Sequence, residues 1–162
     1  NQNFLNWELI IIDDGSTDHT KAVLQQFNDT RIKYHYQKNT ERSQARNNGI
    51  ALAKGTYICF LDSDDEFCEH HLNVFYQFIN QHQNPVGIIF SNPIILNNGK
   101  ETKELIPPFN KDETLAYILQ NSIIPDRVCI HKEVFYHYQF DPAIHIGEDT
   151  ILWAQITNRF SM

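Results

Sequence analysis

The sequence has no excess of positive charge and no long apolar run. Its 162 residues include 13 basic and 20 acidic side chains, which gives a net charge of −7. Proteins that bind duplex nucleic acid usually carry a strong basic excess, so nucleic acid is not an expected partner. The apolar runs are far shorter than the ~20 residues that cross a bilayer. We therefore expect no membrane span in this chain.

Cysteine and methionine are also scarce. The three cysteines, Cys59, Cys68 and Cys129, do not pair evenly and lack a zinc-like spacing. Cys59 lies in an apolar run, which is typical of a buried free thiol and of a reducing compartment. The expected location is the cytoplasm, with the inner face of the membrane as an alternative. Because Met162 is the only methionine, the chain is expected to be a piece of a longer protein.

The composition is otherwise that of a globular domain, with 41% hydrophobic residues. Strand patterns alternate with helix patterns in the first 90 or so residues, which predicts an α/β sandwich around a mostly parallel central sheet. A smaller mixed region follows. The predicted strands span residues 8–12, 31–36, 57–61, 86–91 and 128–130, with a hairpin over 94–105. The predicted helices span residues 42–53, 69–81, 111–121 and 148–158. A further helix is predicted to follow the N-cap residues 16–18 and to include 22–27, and a helical turn or two is predicted over 132–138.

Two predicted buried strands end in clusters of acids. Asp13 and Asp14 follow the first, and Asp62 and Asp64 follow the strand over 57–61. Ligands of open α/β sheets bind outside the carboxyl ends of the strands. Residues two apart in an extended segment point the same way, so Asp62 and Asp64 could share one Mg²⁺ or Mn²⁺ ion. The alternative is a turn whose acids cap the next helix.

The other acid cluster allows two similar interpretations. Asp13 or Asp14 could accept hydrogen bonds from a nucleobase or a ribose, or could form a turn and a helix cap. Arg42 and Arg46 begin the next helix, where the helix dipole disfavours a cation. That placement suggests another partner, either a diphosphate or an acid of the Asp13 and Asp14 cluster.

Two acids begin the last predicted helix. Glu148 and Asp149 follow Gly147, and acids at a helix N-terminus compensate its dipole. The functional alternative is a general base, since a carboxylate near an acceptor hydroxyl can take its proton.

Four motifs occur in a fixed order: Asp-Asp-Gly-Ser-Thr-Asp after a strand, Arg-x-x-x-Arg-Asn, Gly-Thr-Tyr-Ile-Cys-Phe-Leu-Asp-Ser-Asp-Asp, and Gly-Glu-Asp. Together they resemble family 2 glycosyltransferases of the GT-A fold, the nucleotide-diphospho-sugar transferase type. The resemblance extends from about Trp7 to Trp153. It implies one catalytic domain fragment over 1–162, with a nucleotide-sugar half over about 1–92 and an acceptor half over about 93–162.

The resemblance also implies roles for individual residues. Asp149 corresponds to the catalytic base, and Asp13, Asp14 and Arg42 correspond to residues that approach the donor nucleotide. The Asp-x-Asp pair, or DXD motif, is Asp62 and Asp64, of which Asp64 is the more direct metal ligand. Secondary candidates are Glu148, Asp65 and Arg46.

The implied reaction is inverting, metal-dependent transfer of a hexosyl group from a nucleoside diphosphate sugar to an acceptor hydroxyl. Mn²⁺ or Mg²⁺ would be the cofactor and a saccharide or lipid-linked molecule the acceptor, as in bacterial surface polysaccharide or glycolipid synthesis. A homo-oligomer is left open. A nucleotidyltransferase, which would release pyrophosphate, and a sugar-nucleotide binding module without catalysis are the alternatives.

The sequence departs from the family pattern in two places. The first family strand, central in the sheet, and the helix after it have no counterpart before the point that matches Asn1. In addition, no Gln/Arg-x-x-Arg-Trp motif follows Asp149. A processive membrane synthase is therefore not expected.

Overall fold

Strands and helices alternate along the chain, as the sequence predicts. The computed structural model describes residues 2–97, 100–103, 113–121 and 123–160. The strands are β1 (Leu9–Asp14), β2 (Ile32–Gln37), β3 (Tyr57–Cys59), β4 (Ile88–Phe90), β5 (Ile94–Asn97), β6 (Lys100–Lys103) and β7 (Val128–His131). The α-helices are α1 (Thr20–Leu24), α2 (Glu41–Leu52), α3 (His71–Gln81), α4 (Thr114–Gln120) and α5 (Glu148–Thr157). Two 3₁₀ helices, Pro125–Arg127 and Lys132–Tyr136, flank β7.

Most predicted elements lie within a few residues of the observed ones. The strand predicted over 57–61 is shorter, since β3 ends at Cys59. Residues 98, 99, 104 and 105 of the predicted hairpin, and residues 111 and 112 of the helix predicted over 111–121, lie outside the described residues. Periodicity therefore located the elements, while their ends depend on tertiary contacts.

The first sheet consists of β1 and β2. They pair in parallel from Leu9 opposite Ile32 to Asp14 opposite Gln37, and α2 packs on β1. Parallel pairing makes both strands end at the same edge, where β1 presents its two acids. This sheet therefore has the parallel pairing that the sequence predicts.

The second sheet has a different pairing from the one predicted. β7 lies between β3 and β4 and runs antiparallel to both, so the expectation of a mostly parallel sheet does not hold here. β3 and β4 run in the same direction, but a strand from late in the chain separates them. Because β7 sits between two strands from before residue 92, the two predicted halves share this sheet.

No ladder joins the two sheets in the part of the chain that the structure describes. β1 pairs only with β2, and β3 pairs only with β7. β5 and β6 form a separate antiparallel hairpin.

The hydrophobic core belongs to the second sheet and the helices around it. Residues from α4, α5, β7 and the following 3₁₀ helix are almost completely buried, with Trp153, Val128 and Val134 at 0% exposure. By contrast, Ile10, Ile11 and Ile12 of β1 are only partly buried. The prediction of a buried first strand is therefore wrong for the described chain, because β1 has too little covering structure.

No helix in the described ranges is both long and apolar enough to cross a bilayer.

Candidate functional site

The carboxyl end of β1 is tied to the start of α2 through Asp14. Its Oδ1 accepts hydrogen bonds from Gln37 Nε2 (2.7 Å) and from the backbone N–H of Thr40 (2.9 Å). Thr40 immediately precedes α2, so Asp14 satisfies a backbone donor at the helix start. The carboxylate is half-buried, and its Oδ2 makes no hydrogen bond with another described residue. One oxygen of Asp14 thus remains available at this edge.

The turn after Asp14 requires glycine. Gly15 has φ of +87°, and a Cβ there would lie 2.9 Å from the backbone nitrogen of Asn39. A side chain would therefore be strained and would displace the loop that leads to Thr40. The glycine in the Asp-Asp-Gly motif allows β1 to approach the start of α2.

Asp13 points into the fold. It is 5% exposed, and its oxygens accept hydrogen bonds from Ser16 N–H (2.8 Å) and Tyr34 Oη (2.5 Å). The Tyr34 hydrogen bond holds the pKa of Asp13 below its ordinary value, and the same contact raises the pKa of Tyr34 to about 12. Of the two adjacent acids, the structure directs only Asp14 towards the outside.

Arg46 links two of the predicted acids. Its Nη2 donates to both oxygens of Asp62 at 2.9 Å, and its Nη1 donates to Glu148 Oε1 at 3.0 Å. Arg46 and Glu148 are nearly buried, with side-chain exposures of 11% and 5%. Buried charges are tolerated when they are paired in this way. Arg46 therefore joins the Asp-x-Asp segment to the start of α5.

Arg42, one turn before Arg46, reaches the same acid. Its Nε lies 2.8 Å from Glu148 Oε1, and Nη2 donates to the carbonyl of His145. The sequence suggested a diphosphate or the Asp13 and Asp14 cluster as its partner, but the internal partner is Glu148. The Arg42 side chain is 56% exposed, so its outer face remains open to a ligand.

A cleft of about 270 Å³ opens beside Arg42. It is lined by Glu41, Arg42, Ser43, Ile144 and His145. Glu41 has φ of 69°, a left-handed conformation that costs a non-glycine residue free energy. A larger groove of about 420 Å³ lies beside α1 and contains none of the predicted site residues.

The Asp-x-Asp segment is a turn and not an extended strand. The carbonyl of Asp62 accepts the N–H of Asp65 at 3.2 Å, so Ser63 and Asp64 occupy the middle of a turn. The argument that Asp62 and Asp64 point the same way is therefore wrong, because it required extended backbone beyond Cys59. Arg46 engages Asp62, whereas Asp64 and Asp65 are exposed.

Asp126 is a site residue that sequence reasoning missed. Its Oδ1 accepts the backbone N–H of Asp62 at 2.5 Å, which fixes the start of the turn. Burial raises the pKa of Asp126, partly opposed by the Asp62 N–H hydrogen bond. The contact spans 64 positions of sequence, and no local pattern marks it.

Asp149 occupies the first turn of α5. Gly147, with φ of +73°, precedes the helix, and Glu148 turns inward to the two arginines. Asp149 is half-buried, and its Oδ1 accepts the N–H of Thr150 at 2.6 Å. Its Oδ2 makes no hydrogen bond within the described ranges. Of the adjacent acids, Glu148 is occupied by arginines and Asp149 retains a free oxygen.

These contacts join four of the nine predicted site residues in one network. Ion pairs connect Arg42, Arg46, Glu148 and Asp62, while Asp14 is fixed at the start of the helix that carries both arginines. Asp64 and Asp149 are close along the chain to members of this network. No direct contact joins Asp14 to Asp64 among the described residues, and Asp13 is turned inward.

The acids in and around this network can be compared with the ligands that a divalent cation requires. The described residues contain no group of three or more His, Cys, Asp or Glu side chains arranged to hold a metal. Mg²⁺ often binds through one or two carboxylates and completes its shell with substrate phosphates. Asp64 suits this because it is exposed and has no ion pair in the described chain, whereas Asp62 is already paired with Arg46.

Comparison with known proteins gives a consistent result. The sequence profile described as Glycosyl transferase family 2 matches residues 1–137. The chain is 30% identical over 164 residues to an Escherichia coli protein named UDP-Glc:alpha-D-GlcNAc-diphosphoundecaprenol beta-1,3-glucosyltransferase WfgD, covering 96% of this chain and 60% of that protein. It is 33% identical over 166 residues to an uncharacterized glycosyltransferase of Rickettsia felis, covering 99% of this chain and 27% of that protein.

A solved structure extends the comparison to the fold. The crystal structure of S. aureus TarS 1-349 superposes with a TM-score of 0.74 and 21% sequence identity. The match covers 94% of this chain and 47% of that chain. The chain thus spans only part of the proteins that it matches.

Proposed function

Because this chain belongs to glycosyl transferase family 2 and has its GT-A α/β fold, we propose that it catalyses inverting sugar transfer. The donor is a nucleoside diphosphate sugar and the acceptor is a hydroxyl group. The observation that carries the proposal is the Arg42–Glu148–Arg46–Asp62 network. It holds the turn that carries Asp64 against the helix that carries Asp149.

In this proposal Asp149 is the general base. As the acceptor oxygen attacks the anomeric carbon from the face opposite the leaving group, the Asp149 carboxylate takes the hydroxyl proton. Its free Oδ2 and partial exposure support this role. Glu148 instead positions Arg42 and Arg46, because both guanidinium groups already engage its Oε1.

The donor is held by residues from both sheets. The free oxygen of Asp14 accepts a hydrogen bond from the nucleobase or ribose, and the exposed face of Arg42 contacts the diphosphate. Arginine suits that task because its guanidinium matches phosphate geometry. Asp64 would hold Mn²⁺ or Mg²⁺ together with the diphosphate, with Asp62 next to it. Such a cation, when bound, stabilises negative charge on the leaving group.

The names of the relatives support a proposal for the biological setting. The Escherichia coli relative is named as a glucosyltransferase acting on a diphosphoundecaprenol-linked sugar, and a Bacillus subtilis relative is named for teichuronic acid biosynthesis. By similarity, we propose transfer of a hexose to a saccharide or lipid-linked acceptor in bacterial surface polysaccharide or glycolipid synthesis. The proposed location is the cytoplasm or the inner face of the membrane. Self-association is a property to measure alongside activity.

The test is release of a nucleoside diphosphate from a panel of sugar nucleotides, with Mn²⁺, with Mg²⁺ and with a chelator. A thermal-shift series with the free nucleoside diphosphates identifies the base, since a ligand selective for the folded state raises its melting temperature. We expect release of the nucleoside diphosphate to depend on the cation. We also expect the melting temperature to rise with the nucleoside diphosphate of one base. Release of pyrophosphate would instead indicate a nucleotidyltransferase, and binding without turnover would indicate a binding module.

A further inference from the structure

Two cysteines distant in sequence are direct neighbours in the second sheet. Cys59 of β3 lies opposite Cys129 of β7 in the antiparallel register. Both are free thiols; Cys129 is buried and Cys59 is partly exposed. The third cysteine, Cys68, is exposed and outside the strands.

The hydrogen-bond pattern identifies the type of cross-strand pair. The N–H of Lys132 donates to the carbonyl of Thr56 at 2.8 Å, and these two residues lie opposite each other in the β3–β7 register. Hydrogen-bonded and non-hydrogen-bonded pairs alternate along an antiparallel ladder. Counting three pairs along, Cys59 and Cys129 form a non-hydrogen-bonded pair. The Cα atoms of such pairs are about 4.5 Å apart, within the range that a disulfide spans.

Both side chains lie under α3, on the face that packs against it. The cluster there contains Phe75, Ile79 and Cys129, with Tyr57, Cys59 and Ile89 packed against it. His71, at the start of α3, stacks on Phe67 at 3.9 Å and meets Phe75 edge-on at 4.9 Å. These ring contacts fix the imidazole of His71, which interacts with Cys59.

The surroundings favour a thiolate on Cys59. A hydrogen bond from the Cys129 thiol lowers the pKa of Cys59, and His71 lowers it further, although burial acts in the opposite direction. The same contact and burial raise the pKa of Cys129. A thiolate is the nucleophile in thiol oxidation, so Cys59 is the residue expected to react first.

We propose that Cys59 and Cys129 form a redox-active dithiol that hydrogen peroxide converts to a reversible disulfide. The Cys59 thiolate attacks one peroxide oxygen, the O–O bond breaks and hydroxide leaves, giving a sulfenic acid. The Cys129 sulfur then attacks the Cys59 sulfur, the S–O bond breaks, and hydroxide leaves with the Cys129 proton as water. The two sulfurs lose two electrons to the peroxide, and the two thiol protons end in two molecules of water.

The disulfide would lie close to the candidate active site. Asp62 lies three positions after Cys59 in the sequence. Asp126 lies three positions before Cys129, and its carboxylate accepts the backbone N–H of Asp62. A covalent link between the strands would therefore be formed beside the contact that fixes the Asp-x-Asp turn. Neither cysteine of this pair is among the residues assigned to donor binding or catalysis.

The experiment treats purified protein carrying Cys68→Ser with hydrogen peroxide and maps the products by mass spectrometry. We expect one intramolecular link between the Cys59 and Cys129 peptides, with loss of two hydrogen atoms, that a dithiol reductant reverses. With Cys129→Ala added, Cys59 should proceed to sulfinic acid because the resolving thiol is missing. With Cys59→Ala added, Cys129 should remain a thiol. Circular dichroism checks that each variant is folded.

Two results in folded protein would overturn the proposal. One is conversion of Cys59 to sulfinic acid in protein that retains Cys129, with Cys129 remaining a free thiol. The other is complete resistance of both thiols under conditions that fully oxidise Cys68 in the unsubstituted protein.

Discussion

The two β-sheets differ in how much of their apolar surface is covered. Every buried residue described before Ile50 is polar, namely Asp13, Ser43 and Asn47. In the second sheet, by contrast, Val128, Cys129 and Ile130 are each at most 2% exposed. Runs of β-branched residues formed strands in both places, but only the second is enclosed on both faces.

The two sheets also contribute differently to the site. The first sheet fixes Asp14 through hydrogen bonds to residues near it in the sheet. The second fixes Asp62 and Glu148 through contacts distant in sequence, backed by a packed core. Stability should therefore depend mainly on the second sheet, and the link between the two regions should depend on α2, which contacts both.

The largest expected effect is on the core. Phe140→Ala should lower the free energy of unfolding by about 3–5 kcal/mol, since it leaves a cavity beside Phe60 and Trp153. Ile11→Ala in the partly buried β1 should cost only about 1 kcal/mol, because less surface is lost from burial. Urea denaturation of both variants measures the difference. Equal losses would show that the first sheet is as well packed as the second.

The next largest effect is expected from breaking the ion-pair network. Arg46→Gln should cost about 3 kcal/mol, because it leaves Glu148 and Asp62 without their shared partner. A double-mutant cycle with Glu148→Gln isolates the pair, and we expect a coupling energy of about 1–3 kcal/mol. A coupling near zero would mean that the network does not join α2 to α5 energetically.

A substitution at Asp149 should affect catalysis and not mainly stability. Asp149→Asn is nearly isosteric and removes the proton acceptor, so kcat should fall by at least ~10²-fold while donor affinity is retained. Asp141 is exposed and is not among the site residues. Asp141→Asn therefore serves as the matched control and should keep full activity. If Asp149 only compensates the dipole of α5, the Asn variant will remain active and lose up to about 1 kcal/mol of stability.

Asp64→Asn should behave differently from Asp149→Asn. It removes a charged oxygen ligand, so it should weaken nucleoside diphosphate binding when Mn²⁺ is present and have little effect when a chelator is added. Calorimetry under both conditions measures this. An equal loss of affinity under both conditions would contradict a metal role for Asp64.

The smallest expected effect is in the first sheet and depends on pH. The Tyr34 hydrogen bond lowers the pKa of Asp13 from its ordinary 3.8. This contribution to stability is therefore full above pH 3.8 and is lost as the pH falls through the lower, folded-state pKa. Tyr34→Phe should lower the melting temperature by a few degrees at pH 7 and by less at pH 3. A difference that stays constant with pH would exclude this linkage.

The failed expectations share a physical cause. The sequence placed Asp62 and Asp64 at the end of a strand, but the backbone turns there because Asp65 bonds back to Asp62 and Asp126 holds its N–H. Likewise, the Ile10–Ile12 run predicts a strand but not its burial, since burial depends on which other elements cover it. Local patterns contain no information about partners many positions away.

Local patterns in the sequence predicted where most strands and helices lie and in what order the motifs occur, because periodicity and turn residues act over short distances. They also predicted a turn after Asp14, but the need for glycine at position 15 was seen only from its positive φ in the structure. Three other features depend on tertiary contacts: β7 separates β3 from β4, Glu148 binds both arginines, and Cys59 faces Cys129. Each of these depends on chain segments that meet only after folding, where packing and long-range pairing select one arrangement from several compatible with the local sequence.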